Sequence, residues 1–171
     1  PELPASENLL SDRDDHIIHH DPLKTTKSKN SYNFKLDTPD HKYNLGEIYN
    51  LSISQGTLTK EERFKINDHI VQTIVMLEQL PFPHNLARVP EYAGGHHEKM
   101  DGTGYPKKLT RDQMSIPARI MAIADIFEAL TAADRPYKSA KQLSESIRIM
   151  SIMRQNAHID GDLFELFLTS G

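Results

Sequence analysis

The sequence predicts an all-α fold, and three observations support this class. No stretch alternates strictly between apolar and polar residues, so little β-sheet is expected. Between residues 60 and 79, apolar side chains recur at helical spacing, namely Ile66, Ile70, Ile74 and Leu77. Thr59 and Glu62 stand at the spacing of a capping box, which marks the start of this helix. Pro81 marks its end.

Further helices follow the same signals along the chain. They are predicted over residues 89–99, 118–130, 140–154 and 161–168. The helix over 118–130 is apolar almost all round, so we expect it to be the central buried helix. Ser115 and Pro117 mark its start, and Ser139 with Gln142 forms a capping box before the next helix. The glycines and proline of residues 101–106 indicate a turn between helices.

Residues 1–44 are polar and show no clear periodicity, so we expect a poorly structured arm or linker, a remnant of an upstream domain. The folded helical domain is predicted over residues 45–171. The chain starts at Pro1 rather than Met, which indicates a piece of a longer protein.

Composition excludes several classes of function. There is no cysteine, so any metal must be held by histidine and carboxylate groups. The net charge of -4 gives no basic patch for a DNA or RNA duplex. No apolar run approaches the length of a membrane span, and no signal peptide is visible.

The nine histidines and one carboxylate carry the strongest chemical signal. His96 and His97 are adjacent, so their side chains point in different directions and suit a centre with two metals. His69 lies at the edge of an apolar helical stripe, where an imidazole can face inward. Asp125 lies among apolar neighbours in mid-helix, and a buried carboxylate is costly unless it is paired or binds a cation.

Each of these residues also has a purely structural interpretation. His69 taken alone fits a core or surface histidine, and the His96-His97 pair can arise by coincidence. Asp125 can be the ion-pair partner of Arg119 or Arg135. Only the joint occurrence of these residues in one order favours a functional site.

That order resembles the HD-GYP family. Residues 96–106 read HHEKMDGTGYP and fit the family signature HHExxDGxGYP at every fixed position. The segments around 56–69, 116–125 and 129–137 are also typical of the family, so the resemblance covers about residues 45–168. It implies an HD-domain-like helical bundle with a Gly-Tyr-Pro loop.

The resemblance also implies a function and a set of site residues. Active members are phosphodiesterases that open the bacterial messenger cyclic di-GMP with two or three metal ions, often iron or manganese. The implied metal ligands are His69, His96, His97 and Asp125, of which His97 and Asp125 are taken as catalytic. The loop of Gly104, Tyr105 and Pro106 is implied to contact the substrate or a signalling protein. Arg119 and Arg135 are carried over as substrate-binding or loop-organising residues.

The His-Asp dyad that names the family is altered here. At the expected spacing the chain reads Asp40-His41-Lys42, so His41 can supply the histidine ligand while Lys42 replaces the aspartate. Asp40 and His41 can also be read as the dyad reversed. A literal pair, His20-Asp21, lies in the polar arm, far from the expected spacing. Losing the dyad aspartate removes a carboxylate ligand, and a lysine there repels a cation.

Three hypotheses follow from this departure. The first is a cytoplasmic phosphodiesterase domain that binds one or two divalent ions and hydrolyses a cyclic dinucleotide. The second is a catalytically impaired module that binds a nucleotide or a signalling partner through the Gly-Tyr-Pro loop. The third, a phosphohydrolase of the wider HD superfamily acting on another nucleotide, has less support because the Gly-Tyr-Pro signature is intact.

Overall fold

The computed structural model describes residues 10–21, 32–54, 56–132 and 141–170, and within them the chain is mostly helical. This confirms the predicted all-α class. The helices are α1 Glu47–Leu51, α2 Lys60–Asn67, α3 His69–Glu78, α4 Val89–Gly94, α5 Ile116–Thr131, α6 Leu143–Gln155 and α7 Gly161–Ser170. Short 3-10 turns lie at Asp14–His16, His84–Leu86 and Arg111–Gln113. Among these described helices, none is long and apolar enough to cross a membrane.

The described residues fall into two compact units. The first takes those within 1–33 and 37–67, and the second takes those within 34–36 and 68–171. The division therefore comes between α2 and α3. The predicted domain boundary at residue 45 stays a prediction.

The first unit contains a short antiparallel ladder, in which β1 (Ile17–Ile18) pairs with β2 (Tyr43–Asn44). The Asp12 carboxylate accepts hydrogen bonds from the backbone N–H groups of Ile48 and Tyr49, in the first turn of α1. Free N–H groups at a helix start need such acceptors. Part of the predicted arm, where it is described, thus carries secondary structure.

The predicted capping box is confirmed. The Thr59 N–H donates to Glu62 Oε2 at 2.9 Å, and the Glu62 N–H donates to Thr59 Oγ1 at 3.2 Å. The single helix predicted over 60–79 is wrong, because α2 ends at Asn67 and α3 begins at His69. Asp68 lies at the break with helical backbone angles, and its side chain makes no capping hydrogen bond but accepts one from the Gln72 side chain. His69 thereby becomes the first residue of a new helix.

One buried apolar cluster of the second unit lies between α5, α6 and α7, and a further set of buried side chains, Ile70, Val71 and Ile74, lies on α3. The buried side chains of the cluster are Ile123, Met150, Ile159 and Phe164. The expectation that α5 is buried all round is wrong, since Ile116, Ile120 and Met121 are 55%, 49% and 42% exposed. Only the face with Ala118, Ala122 and Ile123 is buried, so α5 packs through one side.

The remaining helix predictions differ from the structure at their ends. The helix predicted over 89–99 ends at Gly94, and the residues after it form a turn and a loop. The helices predicted over 140–154 and 161–168 are present as α6 and α7, although α6 begins only at Leu143. Ser139, the first residue of a predicted capping box, lies outside the described residues.

Candidate metal centre

Three imidazoles converge in the second unit. His69 opens α3, while His96 and His97 follow the end of α4. One ring nitrogen from each lies within 4.8 Å of the others. The Nε2 atoms of His69 and His97 are 3.1 Å apart, which suits two ligands at about 2.1 Å from one ion with a bond angle near a right angle. The structure therefore brings the three predicted ligands together, and their role in binding a metal stays a prediction.

His96 is held in the orientation that a metal ligand needs. Its Nδ1 lies 2.7 Å from the backbone carbonyl oxygen of Ala93. Since a carbonyl oxygen only accepts, Nδ1 carries the ring proton and Nε2 keeps its lone pair. Such a bond from the non-ligating nitrogen is usual for metal-binding histidines.

His97 is kept neutral by its surroundings. Burial and the neighbouring His96 and His69 lower its pKa from 6.5 to about 4, although the Asp125 charge acts in the opposite direction. A neutral imidazole binds a metal without first losing a proton. The donor set therefore fits a divalent transition metal ion.

Asp125 differs from its prediction in one respect. Its carboxylate was predicted to be buried, but Asp125 is exposed on α5. The cost of burial therefore says nothing about its role. Its negative charge acts to raise the pKa of Tyr105 and opposes the lowering of the His97 pKa, so the carboxylate lies near both side chains. The cluster of possible ligand atoms within 4.8 Å of one another contains His69, His96 and His97 but not Asp125, whose role as a ligand stays a prediction.

The Tyr105 ring lies directly on the histidine cluster. It stacks on the His97 ring with centroids 4.8 Å apart and planes inclined by 19°. Its backbone N–H donates to the His97 carbonyl oxygen at 3.1 Å. A side chain at Gly104 would place Cβ 2.5 Å from the Glu98 Cα, so only glycine allows this approach. Pro106 is buried beside Tyr105, and the peptide bond that joins them is cis.

Glu98 is a residue of this region to which the sequence analysis gave no role. Its side chain is 1% exposed, and its two carboxylate oxygens accept the N–H groups of Lys107 and Leu109. The available signal was an acidic residue inside the motif, directly after His97.

Arg119 forms an ion pair with Asp160 and not with Asp125. Its Nη1 donates to the carboxylate of Asp160, which also accepts from Arg111 Nε at 2.9 Å. The alternative that Arg119 pairs with Asp125 is therefore replaced by the contact with Asp160. Arg135 lies outside the described residues. The substrate-binding roles of Arg119 and Arg135 stay predictions.

The altered dyad lies in the first unit. The His41 ring contacts the His19 ring at 5.6 Å, and its buried Nδ1 has no hydrogen-bond partner among the described residues. Lys42 places a cation at the position of the dyad aspartate, and its Nζ lies 5.9 Å from the centroid of the Tyr43 ring. In the literal His-Asp pair, His20 Nε2 lies 2.9 Å from the Pro39 carbonyl oxygen. The role of His41 as a ligand stays a prediction.

Comparison with known proteins agrees with the motif and the histidine cluster. The family model described as HD domain matches residues 4–163. The chain belongs to the HD-domain family. It is 37% identical over 113 residues to the 3'3'-cGAMP-specific phosphodiesterase 1 of Vibrio cholerae, covering 66% of this chain and 25% of that protein. Over 73 residues it is 44% identical to a cyclic di-GMP phosphodiesterase of Pseudomonas aeruginosa, covering 43% of this chain and 17% of that protein.

A third relative, a cyclic di-GMP phosphodiesterase of Thermotoga maritima, is 36% identical over 96 residues, covering 56% of this chain and 26% of that protein. The chain thus spans about a quarter or less of these relatives. The predicted membership in the HD-domain family is confirmed.

Proposed function

We propose that this HD domain is a metal-dependent phosphodiesterase domain that hydrolyses a phosphodiester bond of a cyclic dinucleotide. The observation that carries the proposal is the convergence of ring nitrogens from His69, His96 and His97 within 4.8 Å. The names of the relatives support the substrate class. A cytoplasmic location accompanies this substrate class and is part of the proposal.

The proposed centre holds one or two divalent ions, with iron or manganese favoured by the imidazole and carboxylate donors. His69, His96 and His97 would be ligands, and Asp125 and His41 would add to them. A bound ion would supply Lewis acidity toward a phosphoryl oxygen and lower the pKa of a bound water. The three imidazoles are neutral donors, so Asp125 supplies the negative charge that offsets a dication.

The surrounding residues have defined tasks under this proposal. The Ala93 carbonyl fixes the tautomer of His96, and burial keeps His97 unprotonated. Burial and the Asp125 charge raise the pKa of Tyr105, so its hydroxyl keeps its proton and can donate to a phosphate oxygen. Substrate contacts are proposed for Gly104, Tyr105, Pro106, Arg119 and Arg135.

A turnover assay tests the proposal. The metal-free protein is reconstituted anaerobically with iron or manganese, incubated with cyclic di-GMP or 3'3'-cGAMP, and the linear dinucleotide is measured by chromatography. We expect product from the wild type and from His16→Ala, and none from His97→Ala. No product at high concentration of the metal-loaded wild type would overturn the enzymatic proposal for this chain.

A second function, binding without catalysis, is favoured by one observation. Lys42 stands where the family has the dyad aspartate, so this position offers a cation in place of a carboxylate ligand. The domain would then bind a nucleotide, or a signalling protein through the Gly-Tyr-Pro loop. Calorimetry with cyclic di-GMP separates the two functions, since tight binding without turnover supports the second.

A further inference from the structure

We infer that Glu98 is a positioning residue that holds the loop after His97 so that the Tyr105 ring stays stacked on His97. The inference concerns the order of residues 104–109, and only its kinetic test rests on the proposed function.

Both oxygens of the buried Glu98 carboxylate accept hydrogen bonds from backbone N–H groups of the protein. Oε1 accepts the Lys107 N–H at 2.6 Å, and Oε2 accepts the Leu109 N–H at 2.8 Å. With 1% of the residue exposed, little water can replace either bond. Hydrogen bonds to a carboxylate are stronger than neutral ones and reduce the cost of its burial. Each oxygen has its own donor, so an amide side chain cannot satisfy both N–H groups.

The same short segment is fixed from its other side by the backbone. The Tyr105 N–H donates to the His97 carbonyl oxygen, and the Pro106 carbonyl oxygen accepts the Lys35 N–H at 2.7 Å. Gly104 lies against the backbone of Glu98, where a side chain has no room. Glu98 therefore ties the far end of the loop, at Lys107 and Leu109, to the chain directly after His97. Releasing its carboxylate frees one end of the loop that carries Tyr105.

Amide hydrogen exchange followed by NMR tests this arrangement without any substrate. In the wild type, the N–H groups of Lys107 and Leu109 should exchange slowly although they lie outside the helices. Glu98→Gln should speed their exchange by about tenfold or more, the effect of losing one charge-assisted bond. Met150→Ala is the control for a general loss of stability, because Met150 lies in the buried cluster with Ile123, Ile159 and Phe164. Fast exchange of both groups in the wild type would overturn the inference, even if Glu98→Gln fails to fold.

A double-mutant cycle in kcat/KM tests whether Glu98 acts through Tyr105. We expect Glu98→Gln to lose about tenfold in kcat/KM at unchanged metal content, mainly through KM. In a Tyr105→Ala background the same substitution should have little further effect. Equal losses in both backgrounds would show that Glu98 does not act through Tyr105, while turnover would leave the proposed function standing. If no variant turns over, the proposed function fails, and the exchange rates alone decide the role of Glu98.

Discussion

Replacing Asp160 by asparagine tests how the second unit holds the start of α5. The Asp160 side chain is fully buried and accepts from Arg111 Nε at 2.9 Å and from Arg119 Nη1. It also accepts the N–H groups of Asp162 and Leu163 at the start of α7. Asp160→Asn removes the charge and one acceptor oxygen. Water cannot easily replace them at Arg119, whose side chain is 15% exposed.

Two routes give the size of the loss. Breaking a buried ion pair by removing one partner costs about 3–5 kcal/mol. Arg111 is 46% exposed and can recover water, so we expect the lower end, about 3 kcal/mol at pH 7. Independently, burial opposes ionisation of Asp160, but hydrogen bonds from Arg111, Leu163 and Arg119 outweigh it and lower its pKa from 3.8 to about 2. That difference corresponds to about 2 kcal/mol of stability.

Because the pKa is lowered on folding, this stability is present above about pH 4 and is lost as the pH falls toward 2. Urea unfolding followed by circular dichroism should therefore show a difference in the free energy of unfolding between the wild type and Asp160→Asn. This difference should narrow as the pH falls over this range. Asp162→Asn is the matched control, since Asp162 is 84% exposed and its pairing with Arg111 should contribute below about 1 kcal/mol. A gap below about 1 kcal/mol at pH 7, or one independent of pH, would refute this account.

The remaining predictions concern the metal, the loop and the core. His97→Ala and Asp125→Ala should each lower bound metal measured by elemental analysis, whereas His16→Ala should not; metal loss from the last variant would show that the arm takes part. Gly104→Ala should destabilise the protein by about 1–3 kcal/mol in urea unfolding, because its Cβ meets backbone atoms, and an unchanged midpoint would contradict this. Met150→Ala should cost about 2–5 kcal/mol in the same assay, since this side chain is fully buried, and a cost below 1 kcal/mol would contradict the core described above.

The local signals in the sequence predicted local structure well. The reciprocal hydrogen bonds of Thr59 and Glu62 depend only on residues three apart, so the pattern was sufficient. The break at Asp68 was missed because the apolar spacing continues across it from Ile66 to Ile70. The predicted burial of α5 failed because an apolar composition does not show how many neighbours a helix has.

The histidine cluster was predicted through the family motif, which joins residues distant in sequence. Its supporting contacts were not. The carboxylate of Glu98 holds two N–H groups nine and eleven residues away, and Asp160 pairs with Arg119 across 41 residues. Such pairings depend on how the chain folds back, which a single sequence does not show. The exposure of Asp125 likewise depends on which face of α5 packs.

The metal content of the purified domain, after anaerobic reconstitution and removal of loosely bound ions, tests the central claim most directly. We expect at least one equivalent of iron or manganese in the wild type. The simultaneous alanine substitution of His69, His96 and His97 should leave none, while His16→Ala should retain the wild-type amount. A wild type that binds no metal, or a triple variant that binds as much as the wild type, would contradict the assignment of these three histidines as the metal centre.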